Sequence, residues 1–509
     1  MKKTLSILLA LMLALGLLAP AMAESERSGG TLIAWLGGDP TSFNPDGAMD
    51  DFSLMTMENV FNKLIKFDYA GNLIPDLAAS WEVSEDGLTY TFHLVTTKWH
   101  DGEEFTADDV LWTLDTIKVY GITGYAFADV TAEKTDDHTV VLTLTQPDAS
   151  LLYNLSYYGA AILPKHLYDG QDFYACDAAI AHPVGTGPYK FVEHQQGVSV
   201  TLAANLDYFG EIAQTDNLIF SIIPDANTAV QAFYNGELDY LGAAAPPTEY
   251  DNLRAQGNLV YEQPFASRYY IAFNLREGAP ATDLALRQAI AYGTDRQAIL
   301  DKALMGSGAI AEGFAPAAIA WAYNGEDILP ERDVEKAVAI LEEAGYTKDA
   351  DGYYATLSAP TMTEFTDITS VLKDSLKDIG VNVVISSMEP AAWQEQVFAG
   401  EYDLTVLSGY HGPDASAMAM RVGTGGAVNI MAYSSAEVDA YFAAGAATTD
   451  QEERAAAYKA AQKVLSQDLP IVPLCEAVIT ETAAANLSDT PLSAPEVTSI
   501  GDLSHIRIN

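Results

Sequence analysis

Between Thr31 and Leu202 the apolar positions recur mostly at every second residue, the spacing of strands with one buried face. Trp81 and Val83, an Asp86-Gly87 turn, and then Leu88, Tyr90, Phe92 and Leu94 in alternation predict a β-hairpin, since Gly accepts positive φ and Asp bonds its own backbone there. The arrangement returns with Asp136-Asp137 ahead of Val140, Leu142 and Leu144, and with Gln196-Gly197 ahead of Val198, Val200 and Leu202. This half is expected to be mainly strands and turns, antiparallel and α+β in character. After residue 224 the pattern becomes one of helices closed by glycine. Asn227 to Asn235 stops at Gly236, Thr282 to Tyr292 at Gly293, Asp333 to Ala344 at Gly345, Thr366 to Ile379 at Gly380, and Pro390 to Ala399 at Gly400. Extended segments are expected at Leu238 to Leu241, Val381 to Ser386 and Tyr402 to Leu407, with a last long helix from Asp450 to Leu465. The second half reads as α/β with an open sheet.

With 509 residues, 49% of them hydrophobic and 19% charged, the chain can build large cores in two or three lobes. Lys and Arg number 26 against 70 Asp and Glu, a net charge of −44. That field excludes nucleic acid as a natural partner and repels an anionic membrane, while cationic or zwitterionic small ligands fit it. Lys2 and Lys3, the apolar run from Leu5 to Leu18 and the Ala21-Met22-Ala23 cleavage signal predict a signal peptide over 1–23. An exported, soluble mature chain of residues 24–509 is expected, periplasmic or on the outer face of the cytoplasmic membrane, and without a lipid anchor because no cysteine follows the cleavage signal. Later apolar stretches are too short to span a bilayer; Glu312, Gly313 and Pro316 break the Ala-rich one at 309–323. Cys176 and Cys475 could pair in an oxidising compartment or stand as two buried free thiols, the simpler reading.

No GxxxxGK phosphate loop, HExxH zinc helix or GxSxG elbow is present, and Gly423-Thr424-Gly425-Gly426 alone does not make a phosphate site. The eight histidines are scattered, so neither a metal site nor a cofactor is expected. The chain reads as a non-enzyme; the rival is a secreted hydrolase whose paired carboxylates no spacing singles out among the 70 acids.

Several blocks in order resemble the family 5 extracellular solute-binding proteins, the oligopeptide-, dipeptide- and nickel-binding receptors of ABC importers. Gly29-Gly30-Thr31-Leu32 and Pro40-Thr41-Ser42-Phe43-Asn44-Pro45 open the match. Gly71 to Trp81, Asp86 to Phe92, His100-Asp101-Gly102-Glu103 and Thr106 to Val110 form its most specific part. Gly185-Thr186-Gly187-Pro188-Tyr189, Tyr270 to Leu275 and Arg287 to Arg296 follow. The resemblance implies a mixed α/β class II periplasmic binding protein fold: two lobes, a hinge, and an extra strand-rich subdomain. Lobe I would comprise 24–56, 186–268 and 478–509, with the subdomain inserted at 57–185, and lobe II would run over 269–477. His100 and its turn, with Trp81 and Trp99, read as scaffold.

In peptide-binding members an aspartate in the loop after the strand matching Tyr402 to Leu407 pairs with the ligand's α-ammonium, and Asp414 is the residue here that matches it. The competing reading is a Pro-Asp turn residue bonding its own backbone. Arg421 could clamp a ligand carboxylate or join a structural ion pair. Tyr410, Trp393, Trp321, Asn429 and Tyr433 could supply walls and amide contacts or belong to the core. Arg268 and Tyr269 stand at the expected crossover between lobes. The function implied is capture of short peptides and delivery to membrane permease subunits by a monomer, with nickel chelates, oligosaccharides or opine-like solutes as alternatives on the same fold.

Overall fold

The computed structural model describes residues 27–48, 50–68, 72–156, 159–325, 329–410, 414–493 and 501–509. The expected signal peptide at 1–23 lies outside the described residues. Among the described residues, no helix is long and apolar enough to cross a membrane.

The alternating segments form strands as their spacing requires. Ala78–Val83 pairs with Thr89–Leu94 around Gly87, whose φ is +66°, and Val130–Asp136 pairs with Thr139–Leu144. These four make one antiparallel sheet, its inner face carrying Tyr90, Phe92, Val140 and Leu142. Within that mainly stranded half, Ala107–Tyr120 is a 14-residue helix, not foreseen, packed on that sheet. Thr106 and Asp109 form a capping box that starts it. The third hairpin, Tyr189–Gln195 with Ser199–Ala204, turns at Gly197 and joins a different, nine-stranded sheet.

That larger sheet determines the architecture. Thr31–Leu36 lies parallel to Asn217–Ile222 on one side and meets Tyr240–Gly242 on the other. Beyond it come Ile471–Ala483, Leu259–Phe273 and Leu404–Tyr410. Leu259–Phe273 is 15 residues long, a span of roughly 50 Å at the usual rise per residue. It pairs with Ile471–Ala483 in two stretches, Leu259↔Ala483 to Pro264↔Val478 and Arg268↔Glu476 to Ala272↔Ile471. The register shifts between Pro264 and Arg268, where proline lacks the N–H a continuous ladder uses.

The glycine-closed helices appear at Ala226–Tyr234, Leu284–Gly293, Val334–Glu343, Thr366–Asp378 and Pro390–Phe398, and the long one at Gln451–Asp468. Thr366–Asp378 leads through Gly380, φ +74°, into Val381–Met388, which lies parallel to Ala355–Met362.

Among the described residues, buried side chains gather into four cores. One runs from Ala266 to Cys475 and one from Leu64 to Ile162. A third joins Leu32 to Phe61 with Ala161 to Ile222, Tyr240 and Ala483 to Ile506, and a small fourth surrounds Val230, Phe233 and Leu253. Cys176 and Cys475 are free and buried, one in the third core and one in the first.

Candidate functional site

The two long strands are the connections that carry the chain between cores, and the shift between Pro264 and Arg268 falls where one core gives way to the other. Leu404–Tyr410 runs alongside this crossing, placing Gly409 opposite Arg268 and Tyr410 opposite Ser267. The carboxyl end of that strand and the segment after it therefore stand at the junction. His411, Gly412 and Pro413 lie outside the described residues, as does the Tyr410 side chain.

Arg268 is 2% exposed and donates from Nη1 to Gly313 O at 3.0 Å, while its Nε–H has no partner. Burial lowers its pKa to about 10, against the pull of Glu476. Glu476 accepts from Ala317 N at 3.1 and 3.0 Å, and desolvation holds its pKa up. Arg421 sits beside Gly409; a Cβ there would come 3.1 Å from its Nη2. Arg268 and Arg421 line a cavity of about 10 Å³ with Phe314, Met418, Val422, Leu465 and Ile471, room for one water. Tyr269 is half-buried, edge-on to Phe365 at 6.2 Å.

Asp414 is 2% exposed and already paired. Its Oδ1 accepts from Arg454 Nη2 at 2.6 Å and from Ser416 N at 3.0 Å, the second bond capping the Ala415–Ala417 turn. Oδ2 has no hydrogen-bond partner. Arg454 also donates Nε to Gly445 O at 2.9 Å and stacks on Trp321 with its Cζ 5.0 Å from the ring, and Trp321 meets Tyr458 edge-on at 5.7 Å. Pairing with Asp414 outweighs burial and raises the Arg454 pKa. So Asp414 is not a lone carboxylate awaiting a cation, because a buried guanidinium neutralises it from within the same core. Asp414 and Trp321 meet through Arg454, and Arg268 and Arg421 meet at the cavity.

Trp393, Asn429 and Tyr433 sit apart from both groups. Trp393 is 7% exposed and donates Nε1–H to Thr405 Oγ1 at 3.0 Å beneath the sheet. Asn429 bridges Gly423 O and Tyr433 O at 2.8 Å each, and Tyr433 donates its hydroxyl to Asp468. Arg454 and Glu476 were not anticipated from sequence. An arginine four residues after the Asp450 cap, inside a helix of a chain so poor in cations, was the one usable signal for Arg454.

Comparison with known proteins finds relatives over nearly the whole chain. Residues 72–429 match the family described as bacterial extracellular solute-binding proteins, family 5 Middle. The dipeptide-binding protein of Escherichia coli strain K12 is 29% identical over 508 residues, covering 92% of this chain and 94% of that protein. Among solved structures, the ABC transporter substrate-binding protein CtaP of Listeria monocytogenes is 27% identical with a TM-score of 0.84, covering 95% of this chain and all of that one. The periplasmic binding protein DppA of Helicobacter pylori, solved with the peptide STSA, is 25% identical with a TM-score of 0.78, covering 96% of this chain and all of that one. With its crossing strands, separate cores and near-complete coverage by these relatives, the chain belongs to the family 5 bacterial extracellular solute-binding proteins.

Proposed function

We propose that this protein is the extracytoplasmic receptor of an ABC importer, taking short peptides between two lobes and presenting the closed form to membrane permease subunits. The observation that carries this reading is the end-to-end likeness to peptide-binding relatives, one of them solved around a tetrapeptide. The crossing at 264–268 and 476–478 supports it as the hinge, since only a few residues need change φ and ψ for two packed cores to approach. Lobe I would hold 24–56, 186–268 and 478–509, the inserted subdomain 57–185, and lobe II 269–477. The protein works as a monomer and by binding alone; the site offers fixed donors and stacking faces.

In this reading Arg268, Arg421, Tyr269 and Trp321 face the ligand space, with Asp414 contributing the oxygen that Arg454 leaves open. Trp393, Asn429 and Tyr433 brace the strand and loops behind them. A peptide held this way gains affinity from enclosure and pre-placed polar groups.

The test is a thermal-shift screen of refolded mature protein against di- to pentapeptides, oligosaccharides and nickel with histidine, followed by mass spectrometry of the hits. Peptides are expected to raise the melting temperature and to return intact. Stabilisation by sugar or nickel without peptide would overturn the ligand assignment, and a cleaved peptide would overturn the absence of catalysis. Asp414→Ala is expected to cost about 3 kcal/mol of stability, because it leaves Arg454 buried without its counter-charge.

A further inference from the structure

Besides the crossing strands, the inserted subdomain touches lobe II at a small contact remote in sequence from the hinge. Ala149 donates its N–H to Ala446 O at 3.0 Å. One helical turn on, in Leu151–Ser156, the Tyr153 ring lies 5.7 Å from Arg454 Cζ. Leu151, Leu152 and Leu155 belong to the subdomain core, whereas Tyr458, Ala461 and Leu465, on the helix that carries Arg454, belong to the lobe II core. The contact therefore joins two separately packed bodies. Arg454 is fixed on its own side by Asp414, Gly445 and Trp321, its side chain 4% exposed, so Tyr153 meets a cation that cannot swing away.

We propose that Tyr153 and Arg454 form a latch that stabilises the closed form, with Arg454 as the positioning residue held in place by Asp414. The proposal deepens the peptide-receptor reading and rests on it. A guanidinium over a ring is held more strongly when both are out of water. Opening the lobes rehydrates Arg454 and forfeits that gain, so the contact favours closure. The latch acts on release more than on capture, because holding the lobes together slows escape of an enclosed ligand.

The experiment places dyes on cysteines introduced at exposed Glu133 and Glu335 and reads the distance between them in single molecules, with and without an Ala-Phe dipeptide. Tyr153→Leu is expected to lengthen the ligand-free distance and raise the dipeptide dissociation rate about tenfold while leaving association nearly unchanged. Tyr153→Phe, which keeps the ring but loses the hydroxyl that Arg454 also contacts, is expected to fall between the parent protein and Tyr153→Leu. Arg454→Lys, which keeps the charge beside Asp414 but loses the planar face, falls between. An unchanged ligand-free distance distribution in Tyr153→Leu overturns the latch. If the parent protein does not bind the dipeptide, the ligand-free arm still decides the latch, and only the peptide reading fails.

Discussion

His100 shows how a side chain that reads as a turn residue becomes a pin. Its Nδ1 accepts from Gly185 N at 3.3 Å, leaving Nε2–H to donate to Gly187 O at 3.0 Å, an arrangement only the neutral ring can make. Burial lowers its pKa to about 4, well below the usual value near 6.5. Between those two pH values the unfolded chain binds a proton that the folded one refuses, so the contribution is fully present above pH 6.5 and is lost as the pH falls toward 4. The loss amounts to on the order of 3 kcal/mol. Urea unfolding at pH 7 and pH 4.5 should therefore show a smaller acid-induced drop in His100→Gln than in the parent protein, and equal drops would refute the assignment. At the candidate site, by contrast, the decisive partner of Asp414 lies 40 positions away at Arg454, beyond any local spacing rule.

The elements divide by what local chemistry can specify. Tyr90, Phe92 and Leu94 announce their hairpin because alternation and an Asp-Gly turn agree, and Gly345, Gly380 and Gly400, all at positive φ, mark helix ends as expected. The Ala107–Tyr120 helix stayed hidden because Val110, Leu111, Trp112 and Leu114 crowd its apolar residues together, blurring the 3.6 period between flanking strands. Leu259–Phe273 is one strand only through its partners, since Pro264 interrupts any sequence-level reading. The family blocks implied two lobes and a crossing between them, which periodicity could not. One such block, Gly185 to Tyr189, explains itself in the structure: a Cβ on Gly185 would lie 1.9 Å from Val60 O, and Gly187 N donates to that same carbonyl at 2.8 Å. Gly185→Ala should force the turn away from Val60 and lower stability by about 3 kcal/mol, read from the urea midpoint.

At the scale of the whole molecule, a net charge of −44 leaves unpaired carboxylates repelling one another over most of the surface. Raising NaCl from about 20 mM to about 500 mM shortens the screening length from ~20 Å to ~4 Å, and calorimetry at pH 7.5 should show the melting temperature rise by a few degrees. A fall would mean that exposed ion pairs such as Lys134 with Asp108 outweigh the repulsion. The strand order of the large sheet carries a different consequence, one of sequence in time. Thr31–Leu36 comes first along the chain, yet its partners are Asn217–Ile222 and Tyr240–Gly242, and Tyr240 in turn lies against Ala483. A polypeptide delivered amino-terminus first, by ribosome or translocon, keeps its opening strand unpaired until Asn217 emerges and its sheet unfinished until Ala483 does. The four strands between Ala78 and Leu144 wait for nothing beyond themselves. By pairing alone, the small sheet can close before the large one, and Thr31–Leu36, among the first strands made, gains its partners only after that small sheet is complete.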